Sequence, residues 1–284
     1  MTDFRALRSY LFVPLGDEKI LSARSYIKAA KESDVLILDL EDSLAMDRKS
    51  FGRILLPKAI EHFAKVNPHI IVRINNEADQ WTQDTEVSAH PLVQALLVPK
   101  AESAEHIERV QDILSRMRSK AFVIPLLETP LGILNCAKIC TAGKRAPCAV
   151  FGSEDLATSL GVINPTHRNM LYAAANVILN CAALNIPVIG TAGSFSSYQT
   201  ETLDEFLETL KFSREIGFSG ALAVDRRQVP AINSVFSYDD ERERLETILR
   251  AGEGKLPVYG FEGRMYGPPM VKRYQRLRKK FQKS

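Results

Sequence analysis

The sequence predicts a (β/α)8 TIM barrel with a C-terminal arm and helix that extend beyond the barrel. Eight short apolar runs recur along the 284 residues, and almost every one ends on a charged or polar side chain. Their starts lie about 20 to 35 residues apart, and most of the intervening segments have a helical pattern, as expected of repeated βα units. Eight such units in about 225 residues match the usual size of this barrel. We therefore assign residues 1–250 to a barrel domain and residues 251–284 to the arm and helix.

The predicted strands follow one another without a linker. In chain order they are Ser9–Pro14, Val35–Asp39, Ile70–Asn75, Ala95–Lys100, Phe122–Glu128, Ala149–Asp155, Pro187–Thr191 and Ala221–Asp225. Between them, apolar residues recur at spacings of three and four, as at Ile107, Val110 and Leu114, which predicts amphipathic helices. Turn residues such as Asn67 and Pro68 mark the entries into the strands.

The chain continues beyond the eighth strand. Residues 226–254 predict further helix, Val258–Gly263 predicts a short extended arm, and Pro268 and Pro269 precede a terminal helix. Residues 271–284 contain seven basic and no acidic residues, although the net charge of the whole chain is only +3. Because an arm beyond the eighth unit cannot join a closed barrel, we expect it to pack on a neighbouring subunit of an oligomer. The basic helix could instead bind an anionic partner, but no nucleic-acid-binding module accompanies it, so nucleic acid is not expected.

Composition predicts a soluble globular protein, and we expect it to be cytoplasmic and not to enter a membrane. The chain is 45% hydrophobic and 25% charged, and neither a secretory start nor a membrane-spanning run is visible. Cys136 and Cys140 lie one helical turn apart, which allows a two-ligand metal or redox site. Because there is no C-x-x-C pair and no histidine at ligand spacing, we interpret all four cysteines as small core residues.

The C-terminal ends of barrel strands share one face, where the active sites of such barrels lie. Glu128 and Asp155 end consecutive predicted strands, so their carboxylates can share a hard divalent cation such as Mg²⁺. The spacing equally allows each carboxylate to pair with a nearby cation or to cap the following helix. No histidine falls on a predicted strand end, which argues against a histidine base or a zinc site.

Further charged residues are expected at the same face. Arg73 ends the third strand, where a buried guanidinium needs an anion, either a neighbouring carboxylate or a substrate carboxylate. Asp39, Glu41 and Asp42 follow the second strand and require cations nearby or a catalytic proton. Lys100 ends the fourth strand and either binds substrate or forms a salt bridge at the rim.

Six ordered motifs resemble those of the citrate lyase beta-subunit-like family within the HpcH/HpaI aldolase and citrate lyase superfamily. They are Arg8–Pro14, Leu38–Ser43, Val72–Asn75, Val98–Ser103, Leu127–Thr129 and Phe151–Ala157. The aldolase branch places a histidine after the second strand, whereas this chain has Glu41 and Asp42, which favours the lyase branch.

The resemblance implies a homotrimer or hexamer with Mg²⁺ bound by Glu128 and Asp155. It also implies that Arg73 contacts the carboxylate or carbonyl of a 2-oxo acid unit. For the lyase interpretation we expect Arg73, Asp39, Glu41 and Asp42 to be catalytic and Arg73, Lys100 and Glu128 to bind substrate. The implied reaction cleaves or forms a carbon–carbon bond in a 3-hydroxy-acyl thioester such as citryl-, malyl- or citramalyl-CoA. The products of cleavage are a 2-oxo acid and an acetyl thioester.

Three positions depart from the family pattern. Ala221 and Asp225 stand where a lysine and a histidine are usual, although Gln228 is retained. Gly267 occupies the place of an arm aspartate that commonly serves as a catalytic group in a neighbour's site. These changes leave two alternatives to the thioester lyase: a divergent aldolase or lyase with a non-CoA substrate, and a non-catalytic binding subunit.

Overall fold

The computed structural model describes residues 3–194, 203–237, 239–254 and 257–281. Ten strands lie in these ranges: β1 Ser9–Pro14, β2 Val35–Asp39, β3 Ile70–Arg73, β4 Val93–Val98, β5 Phe122–Leu127, β6 Ala149–Phe151, β7 Val188–Gly190, β8 Ala221–Ala223, β9 Tyr259–Phe261 and β10 Arg264–Tyr266. The first eight form one parallel sheet in the order β7-β6-β5-β4-β3-β2-β1-β8. A parallel bridge between Ile189 and Gly220 joins β7 to the segment before β8 and completes the barrel. The predicted barrel is confirmed.

Helices follow the strands on the outside of the barrel. They are α1 Arg24–Glu32, α2 Lys49–Phe63, α3 Ala78–Ser88, α4 Ala104–Arg116, α5 Pro130–Leu134, α6 Cys136–Thr141, α7 Ser153–Ser159, α8 His167–Ala183, α9 Asp204–Ile216, α10 Gln228–Val235, α11 Asp239–Ala251 and α12 Pro268–Phe281. None of the helices in the described ranges is both long enough and apolar enough to cross a membrane.

The barrel strands divide their side chains between two cores. Outward-facing residues such as Leu36 and Leu38 pack against the helices, whereas inward-facing residues such as Val35 and Ile37 fill the barrel. Because side chains alternate along a strand, the next inward position after Ile37 is Asp39, at the strand's carboxyl end. The alternation therefore directs the residues at the strand ends into the mouth of the barrel.

The C-terminal segment differs in detail from its prediction. The predicted extended arm is half of a hairpin, in which β9 pairs antiparallel with β10. Glu262 and Gly263 form its turn with φ of 47° and 73°, a left-handed conformation that suits two-residue hairpin loops. The helix predicted over residues 226–254 is two helices, α10 and α11.

Helix α11 packs on α12 within the same chain. Leu245 and Leu249 on α11 contact Val271, Tyr274 and Leu277 on α12. The hairpin contributes Tyr259 and Tyr266, whose rings stack with centroids 5.6 Å apart. The division of the chain at residue 250 and the packing of the arm on a neighbouring subunit stay predictions.

Candidate active site in the barrel mouth

Arg73 lies at the centre of the charged cluster in the barrel mouth. Its Nε and Nη2 donate to the two carboxylate oxygens of Asp39, both at 2.7 Å, in the paired geometry that guanidinium and carboxylate favour. Its Nη1 lies 2.7 Å from Oε2 of Glu41 and 3.3 Å from Oδ2 of Asp42. The Glu41 contact lacks the angle of a hydrogen bond, so it is an ion pair. Of the two kinds of partner that the sequence left open for Arg73, the structure shows the neighbouring carboxylates.

Both carboxylate oxygens of Asp39 accept hydrogen bonds from neighbouring groups. Besides Arg73, its carboxylate accepts hydrogen bonds from the backbone N–H groups of Glu41 and Ser43, at 2.9 and 3.1 Å. Burial by itself would raise the pKa of Asp39, but Arg73 and these donors lower it overall. The side chain is therefore a buried carboxylate that binds Arg73 and the turn after β2, and the catalytic role expected for it stays a prediction.

The turn after β2 is also held from outside the barrel. Buried Lys49 donates through Nζ to the carbonyl oxygens of Leu40 and Glu41, at 3.2 and 2.7 Å. Asn75 donates through Nδ2 to Leu40 at 2.8 Å. Neither contact is predicted from the sequence; Lys49 is the first residue of α2 and has polar neighbours, Arg48 and Ser50.

Phe12 is a further residue that the sequence analysis missed. It occupies the inward position after Tyr10 on β1, and the Arg73 guanidinium lies 4.6 Å from the centre of its ring. This cation–π contact and the Asp39 pair hold the planar guanidinium on two sides. Period-two alternation along β1 could have identified Phe12 as a mouth residue.

Glu128 directly follows β5 and is 3% exposed. Its Oε1 accepts a hydrogen bond from the backbone N–H of Lys100 at 2.9 Å. Lys100 has φ of 46°, a left-handed conformation that is uncommon for a residue with a Cβ. Burial, together with the nearby carboxylates of Asp155 and Glu41, raises the pKa of Glu128 to about 8.

The predicted position of Asp155 at a strand end is wrong. Strand β6 ends at Phe151, and Asp155 is the third residue of α7. The helix begins immediately after the strand and returns Asp155 to the mouth, where its charge raises the pKa of Glu128. Asp155 is partly exposed, and Lys100 Nζ lies 4.0 Å from its Oδ1 and 4.0 Å from Glu41 Oε1. The ammonium group of Lys100 therefore lies between Glu41 and Asp155.

Carboxyl groups outnumber basic groups in this cluster. The five carboxylates of Asp39, Glu41, Asp42, Glu128 and Asp155 face the two cations Arg73 and Lys100. Burial raises the pKa of Glu41 to about 7, with Asp42 and Asp39 adding to the shift and Arg73 opposing it. Glu128 and Asp155 are near enough for the charge of Asp155 to raise the pKa of Glu128, and hard carboxylate oxygens of this kind are the ligands that Mg²⁺ favours.

The glycine between β6 and α7 makes room for Glu128. A Cβ at Gly152 would lie 2.7 Å from Cβ and 2.7 Å from Oε2 of Glu128. We expect Gly152→Ala to displace this carboxylate, to weaken Mg²⁺ binding, and to cost about 1–3 kcal/mol of stability through overpacking. Isothermal titration with Mg²⁺ and chemical denaturation measure the two effects. Gly16→Ala is the matched control because its added Cβ meets only ordinary contacts from 3.5 Å, and equal losses in both variants would contradict the prediction.

The raised carboxyl pKa values predict a pH-dependent stability. A pKa of about 8 for Glu128 in the folded chain, against an ordinary value of 4.5, means that the folded state binds a proton more tightly than the unfolded state. The tighter proton binding by folded Glu128 stabilises the protein fully below about pH 4.5, and this stabilisation is lost as pH rises through about 8. Each tenfold difference in proton affinity between the folded and unfolded states corresponds to about 1.4 kcal/mol.

Glutamine stays neutral at every pH, so Glu128→Gln does not lose this stabilisation. We therefore expect the Tm of the variant minus the Tm of the unaltered protein to increase as pH rises from 5 to 8 in EDTA. Excess Mg²⁺ is expected to stabilise only the unaltered protein. Thermal melts of both proteins across this pH range measure the difference, and parallel curves would be the contrary result.

A family model described as HpcH/HpaI aldolase/citrate lyase matches residues 8–225. The chain belongs to this family. The match spans all eight barrel strands and every residue of the mouth cluster, and it confirms the resemblance drawn from the six motifs.

Relatives with assigned activities cover most of the chain. Mitochondrial citramalyl-CoA lyase of Rattus norvegicus is 26% identical over 95% of this chain and 84% of its own length. Citrate lyase subunit beta of Escherichia coli K12 is 25% identical over 95% and 91%. A (3S)-malyl-CoA thioesterase of Cereibacter sphaeroides is 29% identical over 89% and 88%.

The fold is shared with solved structures of the family. CitE of Mycobacterium tuberculosis, crystallised with magnesium, acetoacetate and coenzyme A, superposes with a TM-score of 0.76 at 21% identity. The alignment covers 98% of this chain and 100% of that chain.

The structure also gives a local role to Gln228, the residue that the family pattern retains. Its Oε1 accepts hydrogen bonds from the backbone N–H groups of Val224 and Asp225, at 2.8 and 3.0 Å. Asp225 in turn pairs with Arg227 at 2.9 Å. Arg226 lies against Tyr26 of α1, 5.0 Å from its ring centre. The segment after β8 is therefore organised around its own contacts.

Proposed function

We propose that this protein is a Mg²⁺-dependent carbon–carbon lyase that acts on a 3-hydroxy-acyl thioester of the malyl-, citramalyl- or citryl-CoA type. The observation that carries the proposal is that Glu128 and Asp155 reach the same mouth, close enough to interact electrostatically, where carboxyl groups outnumber cations. Relatives that act on such thioesters, and a structural neighbour crystallised with magnesium and coenzyme A, support it. A cytoplasmic location stays a prediction from the sequence.

Glu128 and Asp155 would hold the ion. When bound, Mg²⁺ supplies a Lewis acid that polarises the carbonyl oxygen of a 2-oxo acid. Arg73 is held by Asp39 and Phe12 at the same mouth, where its guanidinium can stabilise negative charge on the oxygen or carboxylate of that acid. Lys100 adds a partly exposed cation between Glu41 and Asp155 for a substrate carboxylate.

Glu41 is the residue to which we assign proton transfer. Cleavage requires loss of the proton of the 3-hydroxyl group, after which the carbon–carbon bond breaks and its electrons form the enolate of the acetyl thioester. The enolate then takes up one proton to give the acetyl thioester, so the reaction needs no net proton. Glu41 is buried and has a pKa of about 7, close to the value at which a carboxyl group exchanges protons well at neutral pH. This role would compensate for Gly267, where the family pattern has an arm aspartate.

Product analysis with a thioester panel tests the proposal. The purified protein is incubated with malyl-, citramalyl- or citryl-CoA, with Mg²⁺ or with EDTA, and 2-oxo acid, acetyl-CoA and free CoA are quantified. We expect equal amounts of 2-oxo acid and acetyl-CoA, only with Mg²⁺. Glu41→Gln should retain 2-oxo acid binding in thermal-shift assays and lose turnover.

Other outcomes identify the alternatives. Free CoA together with the intact hydroxy acid would indicate thioester hydrolysis, the activity in the name of the Cereibacter sphaeroides relative. Stabilisation by glyoxylate, pyruvate or oxaloacetate with Mg²⁺, but no thioester turnover, would favour a non-CoA substrate, which the changes at Ala221, Asp225 and Gly267 would suit. No response to any pairing would leave a non-catalytic binding subunit.

A further inference from the structure

Three cysteine thiols converge outside the barrel, away from the mouth. Cys136 and Cys140 lie one turn apart on α6, and Cys181 reaches them from α8. Their Sγ atoms all lie within 4.8 Å of one another, and those of Cys136 and Cys181 are 3.8 Å apart. The sequence analysis considered only the pair on α6, because 41 residues separate Cys140 from Cys181 along the chain.

The spacing of these sulfurs is close to that of a metal–thiolate site. An ion bound to thiolates at about 2.3 Å, in tetrahedral or trigonal geometry, holds its sulfurs about 3.8–4.0 Å apart. The contact between Cys136 and Cys181 already has this separation. The remaining contacts need to shorten by no more than about 1 Å, which side-chain rotation can provide.

The donor set selects the class of ion. Among the described residues, the three thiols are the only group of metal-ligating side chains gathered in this way, and no carboxylate or imidazole joins them. Soft sulfur donors favour thiophilic cations, whereas Mg²⁺ and Ca²⁺ require oxygen ligands. The hydrogen bonds among the three thiols lower the pKa of Cys136 and raise the pKa of Cys140 and of Cys181. Cys136 is therefore the first thiolate to form, and a bound ion has to displace the protons of the other two thiols.

We propose that Cys136, Cys140 and Cys181 form a binding site for a soft closed-shell cation of the Zn²⁺ or Cu⁺ type. Binding exchanges thiol protons for the ion, so a divalent cation that displaces three protons leaves one negative charge on the site. All three residues are fully buried, and the ion would join α6 to α8. The site is structural, separate from the carboxylates of the mouth, and independent of the proposed function.

Spectroscopic titration tests the site. The reduced protein, with excess Mg²⁺ present to saturate the carboxylates, is titrated without oxygen with Cd²⁺ as a substitute for Zn²⁺, and separately with Cu⁺. We expect an ultraviolet thiolate-to-metal charge-transfer band that saturates at one ion per chain, together with a higher Tm. Saturation with Cd²⁺ alone would identify a Zn²⁺-type site, and saturation with Cu⁺ alone a Cu⁺-type site.

Matched cysteine variants decide the assignment. Cys181→Ala, and Cys181→Ser as the variant closest in size, are expected to lose the band and the gain in Tm. Cys148→Ala should keep both, because this thiol is equally buried but lies in the barrel interior against Tyr10. Absence of the band in the unaltered protein, or an unchanged band in Cys181→Ser, would overturn the proposal.

Discussion

Asp155→Asn is expected to abolish turnover while leaving the fold intact. Asparagine has nearly the same size but cannot supply a charged ligand to Mg²⁺, and the side chain is partly exposed, so little packing depends on it. We expect kcat to fall at least about 100-fold, since changes that act only indirectly on a metal site already cost 10- to 100-fold. Circular dichroism and thermal melts should match those of the unaltered protein.

The neighbouring residue provides the control for this variant. Glu154→Gln makes the same change of charge one position earlier on α7, where the carboxylate accepts a hydrogen bond from Ser194 Oγ at 2.7 Å. We expect it to retain most of the activity. Because Asp155 raises the pKa of Glu128, Asp155→Asn should also lower that pKa in the metal-free protein. An unchanged rate in Asp155→Asn would rule out the proposed metal pair.

Arg73→Met is expected to cause the largest loss of stability of any change in the mouth. It leaves Asp39 as a buried carboxylate that keeps its two backbone donors but has lost its cation. Breaking one side of a buried ion pair costs about 3–5 kcal/mol, and the guanidinium that we assign to the substrate is lost as well. Urea denaturation measures the first effect, and 2-oxo acid binding with Mg²⁺ measures the second.

A double variant separates stability from function at Arg73. Asp39→Asn removes the unpaired charge, so the combination with Arg73→Met should recover more than about 1 kcal/mol of the lost stability. Activity should stay absent, because the substrate contact is not restored. Arg116→Met, an exposed change on α4, is the control and should shift stability by less than about 0.5 kcal/mol. Recovery of activity in the double variant would show that Arg73 serves only the fold.

Some residues of the mouth cluster can be predicted from sequence patterns and others cannot. Asp39, Arg73 and Glu128 could be assigned from the sequence, because each falls at or directly after the end of an apolar run and period-two alternation directs all three inward. Asp155 does reach the mouth, but from α7 and not from the strand end that the sequence predicts. The apolar run of β6 is short, and the position of Asp155 depends on where α7 begins, which hydrophobic patterning locates poorly.

Other contributors have no signal of their own in the sequence. Lys49 lies on the second helix, yet its buried Nζ reaches two carbonyl oxygens of the turn after β2. Gly152 is one of 15 glycines, and its importance follows from the distance to the Glu128 side chain alone. Such contacts join segments that fold together only in three dimensions.

By itself, the sequence determined the barrel, the order of its strands and the carboxylate-rich character of its mouth. These features follow from repeated local patterns, since the spacing of apolar residues reports which face of each strand or helix is buried. Only the tertiary structure decided the pairing of Arg73 with Asp39, the meeting of Cys181 with Cys136 and Cys140, and the hairpin of the C-terminal arm. The first two depend on distances between residues far apart in the chain, and the third on where two short strands meet, so the folded packing sets them and local periodicity does not.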